Sequence, residues 1–210
     1  MSVTQRDRRT LDDRHFDRWS RRNDRSPLQS LLFGPVQRTV VASLAPRLPP
    51  SGVVLDVGCG TGRLLGRLGD VLPSSTLVGL DRSASMAETA RRIRAELRIE
   101  RGSAEALPHR DSCFDAVITT ISFHHWSDKL VALQEVCRVL RPGGLLALTD
   151  LSIDDVPAPL RPLANQRMRD MPTLLEREQL IEEAGLEVLD AFPTLHRRWI
   201  TLTLAERPRA

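Results

Sequence analysis

"VVLDVGCGTG", residues 53–62, is the stretch on which the fold turns. A run of apolar residues broken only by Asp56 reads as a buried strand, and Gly58, Gly60 and Gly62 read as a tight turn opening a helix. The helix follows at once, because "GRLLGRLGDVL" (62–72) places Leu64, Leu65, Leu68 and Leu72 on one face and stops before Pro73. The same alternation continues downstream. "TLVGLD" (76–81), "RIERG" (98–102), "CFDAVITTIS" (113–122) and "LLALTDL" (145–151) read as strands. "SASMAETARRIRAEL" (83–97) and "SDKLVALQEVCRVL" (127–140) read as helices with Ser83 and Ser127 as N-caps, and "RPGG" (141–144) ends the second. Apolar strands alternating with helices require a parallel sheet covered on both faces.

The tail changes character. "TLLEREQLIEEAG" (173–185) is a capped helix ending on Gly185. "LEVLDAF" and "RWITLTLAE" follow as strands joined by the short "PTLHR", which makes them antiparallel. The sum is an α/β domain with a seven-stranded, mostly parallel sheet and an antiparallel last strand. Ahead of it, residues 11–22 and "SPLQSLLFGPVQRTVVASL" (26–44) have helical spacing, with a kink expected at Pro35, and "APRLPPSG" (45–52) makes a linker. The division is therefore an N-terminal helical arm or lid over 1–48 and a ligand-binding domain over 49–210.

The bulk composition is that of a globular chain, 41% apolar and 27% charged over 210 residues. No apolar run approaches the roughly 20 residues of a membrane span, and the N-terminus has no secretory h-region. Cys59, Cys113 and Cys137 have no metal-ligand spacing, so no metal site and a reducing, cytoplasmic location are expected. The formal charge of +3 resides in residues 1–25, which hold eight Arg and five Asp. The rest of the chain is balanced, and the arm reads as a solvated, internally paired segment more than as a nucleic-acid contact.

A glycine turn after a first strand usually cradles phosphate. Here the dinucleotide spacing G-x-G-x-x-G fails, since Arg63 stands at the third position and the run is G-x-G-x-G. Asp56 adds an electrostatic objection: a carboxylate about 4–6 Å from a pyrophosphate costs several kcal/mol. A cationic ligand removes the conflict. S-adenosylmethionine (SAM) carries an ammonium, a sulfonium and an adenosine, and no phosphate. Asp81, ending the second strand, is placed to accept from ribose hydroxyls.

"VLDVGCGTG", Asp81 with "RSASM", "GSAEALPHRDSCFDAVITTISFHHW" and "CRVLRPGG" together resemble the class I SAM-dependent methyltransferases, closest to the subgroup labelled methyltransferase type 11. The resemblance covers roughly residues 50–151 strongly and the tail more loosely. It implies a Rossmann-like three-layer αβα fold. It also implies that Asp56, Gly58, Cys59 and Gly60 line the methionine part of the cofactor and that Asp81 holds the ribose. Arg82 and Met86 would lie beside the adenine, Ser103 and Ala104 at its edge, and Thr120 and Ile121 would offer backbone to the amino-acid end. The family commonly has Asp where Ser103 stands; a neutral serine oxygen accepts a weaker bond unless a neighbour compensates. Cys59 reads as a small packed residue.

The reaction expected is methyl transfer to a small-molecule acceptor on O, N or C, with S-adenosylhomocysteine as the other product. For a weakly acidic acceptor a base adds about 10²–10⁴-fold. His124 and His125 in "FHHW" are the first candidates, against a purely packing role; His15 and His196 are lesser ones. Trp126 reads as packing. The arm, with Phe16, Trp19 and Phe33, and the segment 155–172, with Leu160, Leu163, Met168 and Met171, are the segments able to cover an acceptor. The alternatives are a nucleic-acid methyltransferase and a SAM-binding protein without transferase activity. Against the first, no Asn/Asp-Pro-Pro-aromatic segment follows the fourth strand and no Pro-Cys pair occurs.

Overall fold

The computed structural model describes residues 27–152, 171–194 and 197–209. The helix read over 11–22, the segment 155–170, His15 and His196 lie outside them. The elements run α1 (Pro27–Leu44), β1 (Val53–Val57), α2 (Arg63–Val71), β2 (Thr76–Asp81), α3 (Ala84–Ile93), β3 (Arg98–Arg101), β4 (Phe114–Thr120), α4 (Lys129–Val139), β5 (Leu140–Leu151), α5 (Leu174–Glu183), β6 (Glu187–Thr194) and β7 (Arg197–Glu206). Short 3₁₀ turns follow α1 at Ala45–Arg47 and β4 at Phe123–His125.

One sheet of order β3-β2-β1-β4-β5-β7-β6 carries all seven strands. β1 to β5 pair in parallel, and β7 runs antiparallel to both β5 and β6. Period-2 alternation sorts the side chains into two apolar layers. Leu55, Val57, Val117, Leu146 and Leu148 pack with Ala132, Leu133 and Val136 of α4 and Ile181 of α5. Val54, Ala116, Ile118 and Ala147 pack on the other face with Leu64, Leu65 and Leu68 of α2, Ala87 and Ala90 of α3, and Val40 and Leu44 of α1. This is the expected three-layer αβα sandwich. α1 runs unbroken through Pro35 and is built into the second layer.

Several boundaries differ from the sequence reading. α4 starts at Lys129, capped by Asp128, whose Oδ1 accepts from the N–H of Val131 at 3.1 Å; Ser127 is not the cap. Both residue types cap well, and the sequence alone does not choose between the two neighbours. α3 ends at Ile93, four residues early. β5 starts at Leu140 directly from α4, and "RPGG" falls inside the strand, where the register slips between Phe114 and Ala116 of β4. α5 has a full capping box between Thr173 and Glu176. It closes on Gly185 (φ +87), with Leu186 N–H donating to Ile181 O and Gly185 N–H to Glu182 O, a Schellman end.

Candidate functional site

The carboxyl ends of β1, β2, β4 and β5 bring most of the candidate residues to one edge of the sheet, where open α/β sheets take their ligands. Past β1 the chain turns through Gly58 (φ +78), Gly60 (φ +54) and Gly62 (φ +74), all left-handed. Their surroundings differ. A Cβ on Gly58 would stand 1.9 Å from Ser122 Oγ, so this glycine exists to let the chain after β4 close against the turn. A Cβ on Gly60 would meet nothing within 4 Å; its face opens on empty space, as a ligand cradle requires. The N–H groups of Gly58 and Cys59 are tied to Leu80 O at 2.8 and 3.1 Å, locking the turn onto β2. Cys59 is packed against the bare Cα of Gly79, and burial, then Asp56 and Asp81, push its thiol well above the usual range. It is an inert packed residue.

Asp56 is 2% exposed, beside Gly79 and Ile118 in the sheet. Burial, and then the like charge of Asp81, push its carboxyl up to about 8. Such a group becomes a stable anion only when a cation joins it. Asp81 at the tip of β2 accepts from Gly60 N–H through Oδ2 and from Ser83 N–H through Oδ1, each at 2.8 Å. A carboxylate has about four lone-pair sites, so this residue type can accept from a diol as well as from backbone N–H groups. Arg82 is half-buried, while Met86 is buried under Ser83, whose Oγ caps α3 by accepting from Met86 N–H. Ser103 and buried Ala104 follow β3, one strand beyond Asp81, with Gly102 N–H donating to Asp81 O at 3.1 Å.

On the other side of the turn, Thr120 ends β4. Its hydroxyl and that of Thr149, its partner in register, are buried without a hydrogen-bond partner among the described residues. Ile121 has φ +53, a strained conformation for a β-branched residue, and its N–H is committed to Thr149 O at 2.7 Å. Of its backbone only the carbonyl is left to face a ligand. Phe123 and Trp126 leave this loop for the core, ring to ring at 5.1 Å and 70°.

His124 and His125 part company here. His124 Nδ1 lies 2.9 and 3.1 Å from the two carboxylate oxygens of Asp150, a residue 1% exposed near the end of β5. The same carboxylate accepts from the N–H of His124 at 2.9 Å and of Leu151 at 2.7 Å. Burial alone would raise the Asp150 carboxyl; the His124 side chain and these N–H groups outweigh it and hold it below its ordinary value. An ionised Asp150 only accepts, so His124 Nδ1 carries a proton toward it, and the ring is fixed in orientation. His125 lies 3.9 Å away, ring centroid to centroid, and burial followed by the neighbouring His124 pushes it down to about 4. It is neutral near pH 7 and too weak a base to take a proton there.

Sequence reading missed Asp150, Glu105 and Ser122. Asp150 had a usable signal, since it closes a parallel strand as Asp81 does. Glu105 and Ser122 had none.

The residues present fit a cationic nucleoside: an open glycine cradle at Gly60, a buried acid at Asp56 and hydroxyls at Thr120 and Thr149 that lack an ion-pair or hydrogen-bond partner among the described residues, and a carboxylate at Asp81 on the tip of β2. Comparison with known proteins agrees. Residues 55–148 match the model of the family described as "Methyltransferase domain". An O-methyltransferase of Pyrenophora dematioidea is 28% identical over 186 residues, covering 84% of this chain and 68% of that protein. A fatty-acid O-methyltransferase of Mycolicibacterium smegmatis is 34% identical over 157 residues, 70% of this chain and 57% of that protein. The chain thus spans between about half and two thirds of these curated relatives. Among solved structures, a SAM-dependent methyltransferase of Aquifex aeolicus superposes with a TM-score of 0.71 at 20% identity, over 93% of this chain and 98% of that one, and so shares the fold.

Proposed function

The chain belongs to the class I SAM-dependent methyltransferases, and from that premise we propose that it methylates a hydroxyl oxygen of a small-molecule acceptor, with His124 receiving the proton. Its cofactor is SAM. Asp56, Gly58 and Gly60 hold the methionine half, Asp81 the ribose, and Ser103 with Ala104 the adenine edge. When bound, the cofactor supplies a methyl group already activated by its sulfonium.

The residues of the chain do the rest. Asp56 gives the cationic half a buried counter-charge. Positioning an acceptor in line is worth roughly 7–11 kcal/mol. His124, held in one orientation by Asp150, would offer Nε2 to the acceptor O–H and receive its proton, while the bound cofactor would supply the methyl group and leave as the thioether. The His124–Asp150 pair carries this reading. A carboxylic acid acceptor is already ionised at neutral pH and needs no base, whereas an alcohol or phenol does. The relatives named as O-methyltransferases support oxygen as the atom methylated. The candidate covers for the acceptor are the arm over residues 11–35 and the segment 155–172.

The test is an acceptor screen over alcohols, phenols and carboxylic acids, read as S-adenosylhomocysteine formed. Asp150→Asn is expected to lower kcat on the best hydroxyl acceptor by about 100-fold or more, with the KM for SAM within about threefold. Turnover confined to carboxylic acids, and unchanged in Asp150→Asn, would contradict the assignment.

A further inference from the structure

The serine that replaces the family's acid at the adenine edge is not isolated. The hydroxyl of Ser103 donates to Oε2 of Glu105, two residues on. The other carboxylate oxygen of Glu105 accepts from Ser127 N–H at 2.7 Å and from Asp128 N–H at 3.4 Å, at the start of α4. Burial alone would raise the Glu105 carboxyl; the Ser103 hydroxyl and the N–H groups of Glu105, Ser127 and Asp128 outweigh it and hold it below its ordinary value. Glu105 is therefore an anion bolted between the loop after β3 and the start of α4. The N–H of Ala106 donates back to Ser103 O at 3.3 Å and closes the loop on itself.

A serine hydroxyl has one proton and two lone pairs. In an ordinary site it rotates and satisfies a donor or an acceptor alike. Here the proton is spent on a fixed carboxylate, so only lone pairs face outward, and a hydroxyl polarised in this way is a stronger acceptor than a free one. Resting on the cofactor reading above, we propose that Glu105 is a positioning residue that makes Ser103 a one-way acceptor, selecting a nucleoside whose base presents an amino group and rejecting one that presents a carbonyl in the same place. The acid the family carries at this position is thereby replaced by a serine and a carboxylate acting through it.

The experiment is calorimetric titration of the full chain with S-adenosylhomocysteine and with S-inosylhomocysteine, whose purines differ by amino against carbonyl and by a bare against a protonated ring nitrogen beside it; the Ser103 and Glu105 variants isolate the first difference. The wild-type chain is expected to prefer the adenosyl compound about tenfold, the worth of one hydrogen bond exchanged for two facing acceptors. Glu105→Gln offers Ser103 an amide N–H, frees the serine proton to turn outward, and is expected to bring the ratio below about threefold. Ser103→Ala should do the same without touching the start of α4, and Ser103→Asp should restore the preference. A ratio unchanged in both Glu105→Gln and Ser103→Ala, even with both affinities lowered, would assign Glu105 a purely structural role and overturn the inference while leaving the cofactor reading intact. Binding of neither ligand by the wild-type chain would overturn both.

Discussion

Asp56 should destabilise the empty protein, and by an amount that depends on pH. In the fold its carboxyl keeps the proton up to about pH 8, against an ordinary value of 3.8. Between these values the native state binds a proton that the unfolded chain has released, so stability falls as pH rises across the window and levels off above it. At about 1.4 kcal/mol per pH unit, the interval from 3.8 to neutral costs about 4 kcal/mol at pH 7. Asp56→Asn keeps the shape and removes the titration. For a domain of this size, where 1 kcal/mol is worth about 2–4 °C, the variant should melt about 10 °C above the wild type at pH 7, with little difference at pH 4. The assay is thermal or denaturant unfolding of both chains without cofactor from pH 4 to pH 8.5. Adding SAM should narrow the gap, since its cationic half stabilises the ionised Asp56 and has nothing to gain from Asn. Parallel stability curves for the two chains across pH would refute the reasoning.

The two glycines that flank Cys59 should fail differently. Gly58→Ala puts a methyl group 1.9 Å from Ser122 Oγ at φ +78 and is expected to cost several kcal/mol, read as loss of soluble folded protein or a much lower Tm. Gly60→Ala has open space and pays only left-handed strain of about 1–2 kcal/mol, yet should weaken SAM binding by at least tenfold in a titration, because the methyl group enters the cradle. Thr173→Ala breaks the capping box of α5 and should lower Tm by about 2–4 °C, about 1 kcal/mol, with cofactor affinity unchanged. Deleting residues 1–25 should leave SAM affinity within about threefold and reduce turnover of the acceptor; intact turnover would remove the arm from the account.

The sheet was legible because its cause is local. Each strand is an apolar run of strand length, each helix an apolar stripe at helical spacing, and the glycine turn announces itself between them. The turn proposed to take the cofactor was legible for the same reason: Asp56, Gly58, Gly60 and Asp81 sit at fixed offsets from strand ends. What escaped was polar pairing between elements. Asp150 reaches His124 because β4 and β5 are neighbours in a parallel sheet, which 26 residues of intervening chain do not reveal. Glu105 binds the start of α4 from 22 residues away, a contact that spacing along the chain does not reveal. A Cβ at position 58 would collide with Ser122, a contact between elements that the sequence does not reveal. Of two adjacent histidines, burial disables one and a buried carboxylate orients the other, a distinction that no spacing carries.

The direct measurement is a pair of calorimetric titrations of the purified chain, one with SAM and one with NAD. The account predicts one site per chain for the sulfonium nucleoside, weakened at least tenfold in Asp81→Ala, and no heat of binding for the pyrophosphate. Saturable binding of NAD with none of SAM would contradict it.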